Sequence, residues 1–290
     1  MSDFVILTDS SCDLPAELAQ ALHVTVLPLT FRLNGKEYKN LLDGSNLSFE
    51  EFYLHIRSGV PCTTNAVNVE DFKAAIELIL QSGKDVLCVC FSSGLSATYN
   101  AAKIACEELA PQYPQRQLRA VDTLAASLGQ GLLVYYAAQK QKKGESLQAV
   151  ADWLEENKLH LCHWFTVDDL QHLKRGGRIS SATALFGTML GIKPVMHMDN
   201  DGHLVNVSKA RGRRAALDAL VDHMEQTALQ PQQQVVFISH ADSRADAEYV
   251  AQQIKERIGV KEVLINYVGP VIGAHAGPGT IALFFLGTER

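Results

Sequence analysis

Long apolar runs are scarce in this chain of 290 residues. The longest, IALFFLG at 281–287, falls far short of the ~20 residues a spanning helix needs, so no membrane helix is expected. The opening MSDFVILTDSS has an acid at position 3 and no basic stretch, which argues against an export signal and for a cytoplasmic location. Charged residues make up 20% and hydrophobic residues 47%, a balance that excludes disorder, collagen and coiled coil. The six cysteines (Cys12, Cys62, Cys88, Cys90, Cys106, Cys162) include no C-x-x-C pair and read as buried thiols in a chain with its own core. The ten histidines show neither H-x-x-x-H nor H-x-H spacing, so no metal site is expected. Neither G-x-G-x-x-G nor G-x-x-x-x-G-K-[ST] occurs, which removes support for a dinucleotide or P-loop site. A net charge of −6 argues against non-specific nucleic-acid binding.

What is present is alternation. FVILTDS (4–10), DVLCVCFSS (85–93) and LRAVDT (118–123) read as buried strands, and amphipathic helices are expected over 13–23, 48–59, 67–83, 96–110, 129–144 and 146–158. This order predicts a parallel, helix-covered sheet in an α/β fold. A hairpin is expected at Asn34-Gly35, and Asp13 is a candidate helix cap. Beyond residue 160 the pattern changes. LCHWFTVD (161–168), a hairpin through Asn200-Asp201-Gly202, and strands near 233–241, 261–269 and 280–287 suggest an α+β unit with a mixed or antiparallel sheet. Two tightly packed domains follow, 1–160 and 161–290.

Polar clusters fall where apolar strands end, the usual place for ligands in open α/β sheets. Thr8-Asp9-Ser10-Ser11, Thr63-Thr64-Asn65, the turn Ser92-Ser93-Gly94-Leu95-Ser96 and Asp122-Thr123 are four such points. The serine turn, with Gly94 allowing close approach and Ser96 a candidate cap, has the makings of an anion site at a helix start. Asp9 reads either as a functional carboxylate or as an acceptor for the next loop's N–H groups. Residues 171–214 hold eight basic residues against only Asp199 and Asp201, a basic district on an acidic protein that suits an anionic ligand or partner. The stretch 180–192 has no charge and could line an apolar pocket or an interface. His275 stands among glycines and prolines in a rigid loop before the last strand, placed for a ligand.

The motifs ILTDSSCDLP (6–15), TTNA (63–66), FSSGLSATYNAA (91–102), VDTLAASLGQGLLV (121–134), LKRGGRISSATALFGTMLGIKPV (173–195) and VGPVIGAHAGPG (268–279) together resemble the DegV family over essentially the whole chain. The resemblance implies a two-domain fold that holds one long-chain fatty acid between its domains. It implies the fatty-acid-binding B subunit of bacterial fatty-acid kinase, which presents the bound acid to a separate ATP-binding subunit for conversion to acyl-phosphate, a step toward phospholipid synthesis. Such a protein is a carrier with no ATP site, no catalytic residue and no cofactor beyond its bound acid, and it has room for transient contact with a membrane surface. Carried across, the carboxylate-binding residues fall on Thr63, Ser93 and His275, supported by Thr64, Asn65, Ser92, Gly94 and Ser96. The histidine would steady the anion if protonated. The partner- or phosphate-facing arginines fall on Arg175 or Arg178 and on Arg211. TTNAVNVEDF stands where TSQPSPxxF is usual, and Ala97 where glycine is common. Two other readings stay open: a hydrolase or phosphotransferase using Asp9, Ser93 and His275, and a lipid sensor without a kinase partner.

Overall fold

Each β-branched run forms a strand, and each strand end sets where the chemistry sits. A computed structural model describes residues 3–180 and 191–290. The first half contributes β1 (Phe4–Asp9), β2 (Thr25–Leu27), β3 (Thr30–Leu33), β4 (Lys36–Lys39), β5 (Cys62–Asn65), β6 (Asp85–Cys90) and β7 (Leu118–Asp122). The second half contributes β8 (Leu161–Thr166), β9 (Ile192–Met198), β10 (Leu204–Arg211), β11 (Val235–His240), β12 (Glu262–Tyr267) and β13 (Ile281–Leu286). The helices are α1 (Ala16–Ala21), α2 (Phe49–Arg57), α3 (Val69–Gln81), α4 (Thr98–Leu109), α5 (Leu128–Lys142), α6 (Leu147–Asn157), α7 (Gln171–Arg175), α8 (Arg213–Thr227), α9 (Arg244–Arg257) and α10 (Pro270–Ala276).

The first half forms an all-parallel four-stranded sheet in the order β2-β1-β6-β7. The second forms a six-stranded mixed sheet, β10-β9-β8-β13-β11-β12, antiparallel except for the β11–β12 pair. The fold is thus the expected mixed α/β arrangement. Both hairpins turn where the sequence placed them, with Asn34 and Gly35 at φ 49° and 79°, the left-handed region that Asn-Gly favours.

A third sheet, β4-β3-β5, was not foreseen. Its strand Cys62–Asn65 has a single apolar residue and alternates half-buried with exposed positions, so it carries no hydrophobic signal. Helix α5 joins the two larger sheets. It is buried along most of its length and packs on β1 and β6 on one side and on β8, β11 and β13 on the other. A Cβ at Gly129 would lie 2.8 Å from the Phe284 ring, and one at Gly131 would lie 2.6 Å from the Cys12 carbonyl, so only glycine lets the helix fit between them. One continuous core therefore runs from Phe4 through α5 to Phe284.

Three local expectations need correction. Asp13 is not the N-cap of α1: Pro15 occupies that place, while Asp13 sits at φ 50° and its carboxyl group accepts the Ser127 hydroxyl at 2.6 Å. The segment around His275 is a helix, not a loop, because Pro270 supplies a first-turn φ and needs no N–H partner there. Of the uncharged stretch 180–192, residues 181–190 lie outside the described residues.

Candidate functional site

The loops leaving β6 and β8, helix α10 and the inner face of β8, β13 and β11 enclose an apolar cavity of about 160 Å³. Phe91, Leu95, Phe165, Val271, Ile272 and Ala282 supply much of its wall. Next to it lies a second cavity of about 470 Å³ between α2, β5 and the 172–178 segment, lined by His172, Arg175 and Gly176 among others. Thr64, Arg178 and His275 line both. They form the wall through which the apolar interior meets the basic basin.

At that junction Thr64 Oγ1 lies 2.7 Å from His275 Nε2. Arg178 donates to the Leu95 carbonyl at 3.1 Å and also to the Gly176 carbonyl, which folds its guanidinium back over the turn. Burial, with the charge of Arg178 beside it, holds His275 down at about 4. Without a ligand anion beside it, the imidazole is therefore neutral near pH 7. Arg178, though burial lowers its pKa, remains the permanent charge at the junction. His275 Nδ1 has no hydrogen-bond partner, and a Cβ at Gly176 would lie 2.2 Å from it.

The structure brings together some of the expected residues and separates others. Side chains alternate along a strand, so on β5 Thr64 faces His275 and the apolar cavity, whereas Thr63 is exposed and reaches only the outer basin. In the serine turn Ser96 lines the apolar cavity, whereas Ser93 is exposed and lines neither cavity, its N–H donating to Asp122 at 3.2 Å. The placing of Thr63 and Ser93 at the inner site is thus corrected by the side-chain directions. Asn65 lies at the rim and donates to the Thr30 hydroxyl at 3.1 Å. Ser92 is buried and donates to the Gly202 carbonyl at 2.9 Å; a Cβ at Gly94 would lie 2.7 Å from the same oxygen, so this turn is where the serine loop and the 200–202 hairpin lock together. Ser96 is not the N-cap of α4, a place taken by Ala97, but its Oγ accepts the Thr98 N–H at 3.3 Å.

The basic district divides by pairing. Lys193 binds Asp168 at 2.8 Å and Arg213 binds Asp246 at 2.8 Å, while Arg214 lies over the Tyr249 ring. Arg175, exposed at the end of α7, donates to His172 Nδ1 at 3.0 Å, and neither it nor Arg178 has a carboxylate partner among the described residues. Arg211 is exposed at the end of β10 and lines neither cavity.

Asp9 accepts from Ser11 N, Phe91 N and Gln130 Nε2, each at 3.0 Å, which makes it the loop-holding acceptor rather than a functional carboxylate. Four polar cavity residues escaped the sequence reading: Ser127, Ser239, His163 and Thr280. Ser127 starts α5 in a strained backbone (φ 54°, ψ −144°) and lies 3.1 Å from Ser239 Oγ. The position of Ser239 next to the end of its strand was the one available signal. His163 had none, being interior to an apolar strand. No group of three or more His, Cys, Asp or Glu among the described residues could hold a metal.

The chain is thus an α/β protein with an apolar cavity edged by hydroxyls, one arginine and a half-buried histidine. The family model described as "uncharacterised protein, DegV family" matches residues 3–288, and the chain belongs to the DegV family. A DegV domain-containing protein of Clostridium perfringens is 47% identical over all of this chain and 99% of its own length. The fold is similar to a solved DegV family protein from Thermus thermophilus described for its fatty-acid binding (TM-score 0.88, 31% identity, 98% of this chain and 99% of that one). It is also similar to DegV of Bacillus subtilis, described as a fatty acid binding protein (TM-score 0.85, 27% identity, 99% and 100%).

Proposed function

We propose that this protein holds a single long-chain fatty acid in the apolar cavity, between the halves 1–160 and 161–290, with its carboxylate at the junction. The observation that carries this reading is that Thr64, Arg178 and His275 line both the apolar cavity and the basic basin. Burying about 14 methylenes is worth about 11 kcal/mol at ~0.8 kcal/mol each, an upper bound before association costs. An isolated carboxylate would cost several kcal/mol to bury. Hydroxyl donors at Thr64 and Ser96 and the Arg178 guanidinium offset that cost through charge-assisted bonds of about 1.5–3 kcal/mol each. A carboxylate so placed also favours the charged form of His275.

The basin beyond the junction is open to a partner, and Arg175 and Arg178 face it without carboxylate partners. This supports presentation of the carboxylate to a separate ATP-binding kinase subunit that forms acyl-phosphate, the chain itself acting as carrier and not as catalyst. Arg211 lies away from this mouth and belongs to the proposal only as an outlying docking residue. The hydrolase reading loses its nucleophile at Ser93, which is outside the cavity. The test is denaturing mass spectrometry of an organic extract of the purified protein, followed by turnover with kinase subunit and ATP. One fatty acid per chain and partner-dependent acyl-phosphate support the reading. An empty extract with no rise in Tm on adding fatty acid would sink it.

A further inference from the structure

The wall of the apolar cavity is not wholly apolar. Phe165, Ala282 and Ser239 stand opposite one another across β8, β13 and β11 and so share one face of the mixed sheet. One step of two residues further from the junction, about 7 Å along the strands, His163 pairs with Phe284 on the same face. His163 is 4% exposed and lines the cavity, yet its Nδ1 has no hydrogen-bond partner. Its ring is fixed between Phe284 and Phe165, with centroids 4.6 and 5.5 Å away. Burial, helped by the charge of Arg290, holds it well below the usual histidine range, so it is neutral and offers one N–H donor and one bare acceptor.

Ser239 is the second polar point. Asp13, Ser127 and Ser239 form a buried chain of contacts, 2.6 Å from Ser127 Oγ to Asp13 Oδ2 and 3.1 Å from Ser127 Oγ to Ser239 Oγ, and Ser127 and Ser239 both line the cavity. A serine hydroxyl has one donor and two acceptor positions, so this contact leaves Ser239, a lining residue, with unused hydrogen-bonding capacity. A wall meant only for methylenes would be better served by apolar residues at both places, because a buried polar group without a partner is destabilising.

Resting on the fatty-acid reading above, we propose that His163, with Ser239 beside it on the same wall, forms a subsite for an oxygen function on the acyl chain, so that the protein selects hydroxylated or keto fatty acids over plain saturated ones. The hydroxyl or keto oxygen takes the place of a missing partner for the imidazole, while the carboxylate stays at the Thr64–Arg178 junction. A hydroxyl can donate to the bare nitrogen of the neutral ring or accept from its N–H; a keto oxygen accepts from the N–H.

The test is competition: wild-type protein stripped of lipid is given equal amounts of stearic acid and a mid-chain hydroxystearic acid, and the retained acids are quantified by mass spectrometry. Retention of the hydroxy acid over stearic acid by about threefold to tenfold is the expected result for one gained hydrogen bond. His163→Phe, which keeps a ring against Phe284, should abolish that preference while retaining stearic acid, and Ser239→Ala should reduce it. Equal retention by the wild type, or a preference unchanged in His163→Phe, overturns the subsite and leaves the fatty-acid reading standing. Retention of neither acid overturns both.

Discussion

The two cavities share a wall and have opposite chemistry. The inner one is mostly apolar and lined by groups that are neutral at pH 7 except Arg178, whereas the outer one is larger and lined by His172, Arg175 and Arg178. The difference teaches how one protein can sequester an aliphatic chain and still expose a carboxylate. On the function proposed above, the mostly apolar side covers the chain, and the positive charge stands at the side where the carboxylate is held and then approached. Burial and the charge of Arg175 also lower the pKa of His172 in the basin, so the basin's permanent positive charge comes from arginines.

The largest effect should come from removing the charge at the boundary. Arg178→Ala should weaken fatty-acid retention about tenfold to a hundredfold, read by titration of delipidated protein, because the carboxylate loses its charged partner. Retention equal to wild type would mean that the charge serves only the basin. Next comes the strand register. Thr64→Val should weaken retention about threefold to tenfold, and Thr63→Val should leave it unchanged; the reverse order would show that β5 presents its other face to the ligand. Ser96→Ala and Ser93→Ala should split in the same way, with the effect at Ser96. Arg175→Ala should lower partner-dependent acyl-phosphate formation while lipid content stays intact, and loss of lipid instead would place Arg175 at the inner site.

A separate effect falls on stability and not on retention. Burial raises Asp13 from 3.8 to about 8, so the folded protein keeps a proton there that the unfolded chain releases. The native state therefore loses stability as pH rises from about 4 to about 8 and changes no further from this source above that. In Asp13→Asn that loss is absent. The Tm difference, variant minus wild type, should grow more positive over this window, and a flat difference would remove the buried proton. His197, His240 and His275, each held at about 4 by burial, act in the opposite direction. Their contribution is full above about 6.5 and falls as pH drops toward 4, so scans of the Asp13 pair are compared at matched pH.

Much of this was legible beforehand. Strands such as 85–90 and helices such as 147–157 follow from apolar runs and periodicity alone. The polar turns after β1 and β6 were marked by composition, and His275 and Arg178 by their motifs. Strand β5 was hidden because CTTN has almost no apolar content; it exists because β3 supplies hydrogen bonds along its edge. His163 was hidden because a histidine inside LCHWFT looks like any core residue until the cavity beside it is seen.

The sequence by itself determined the secondary elements, the mixed α/β class, the family and the neighbourhoods of the site, because these depend on local pattern and on motifs read in order. Only the tertiary structure decided which member of each neighbourhood lines the apolar cavity: Thr64 and not Thr63, Ser96 and not Ser93, Arg178 and not Arg211. Adjacent residues on a strand point to opposite faces, and which face is covered depends on segments distant in the chain. It also decided that His275 is neutral, since the burial and the Arg178 charge that lower its pKa are brought to it by folding and appear nowhere in its own motif.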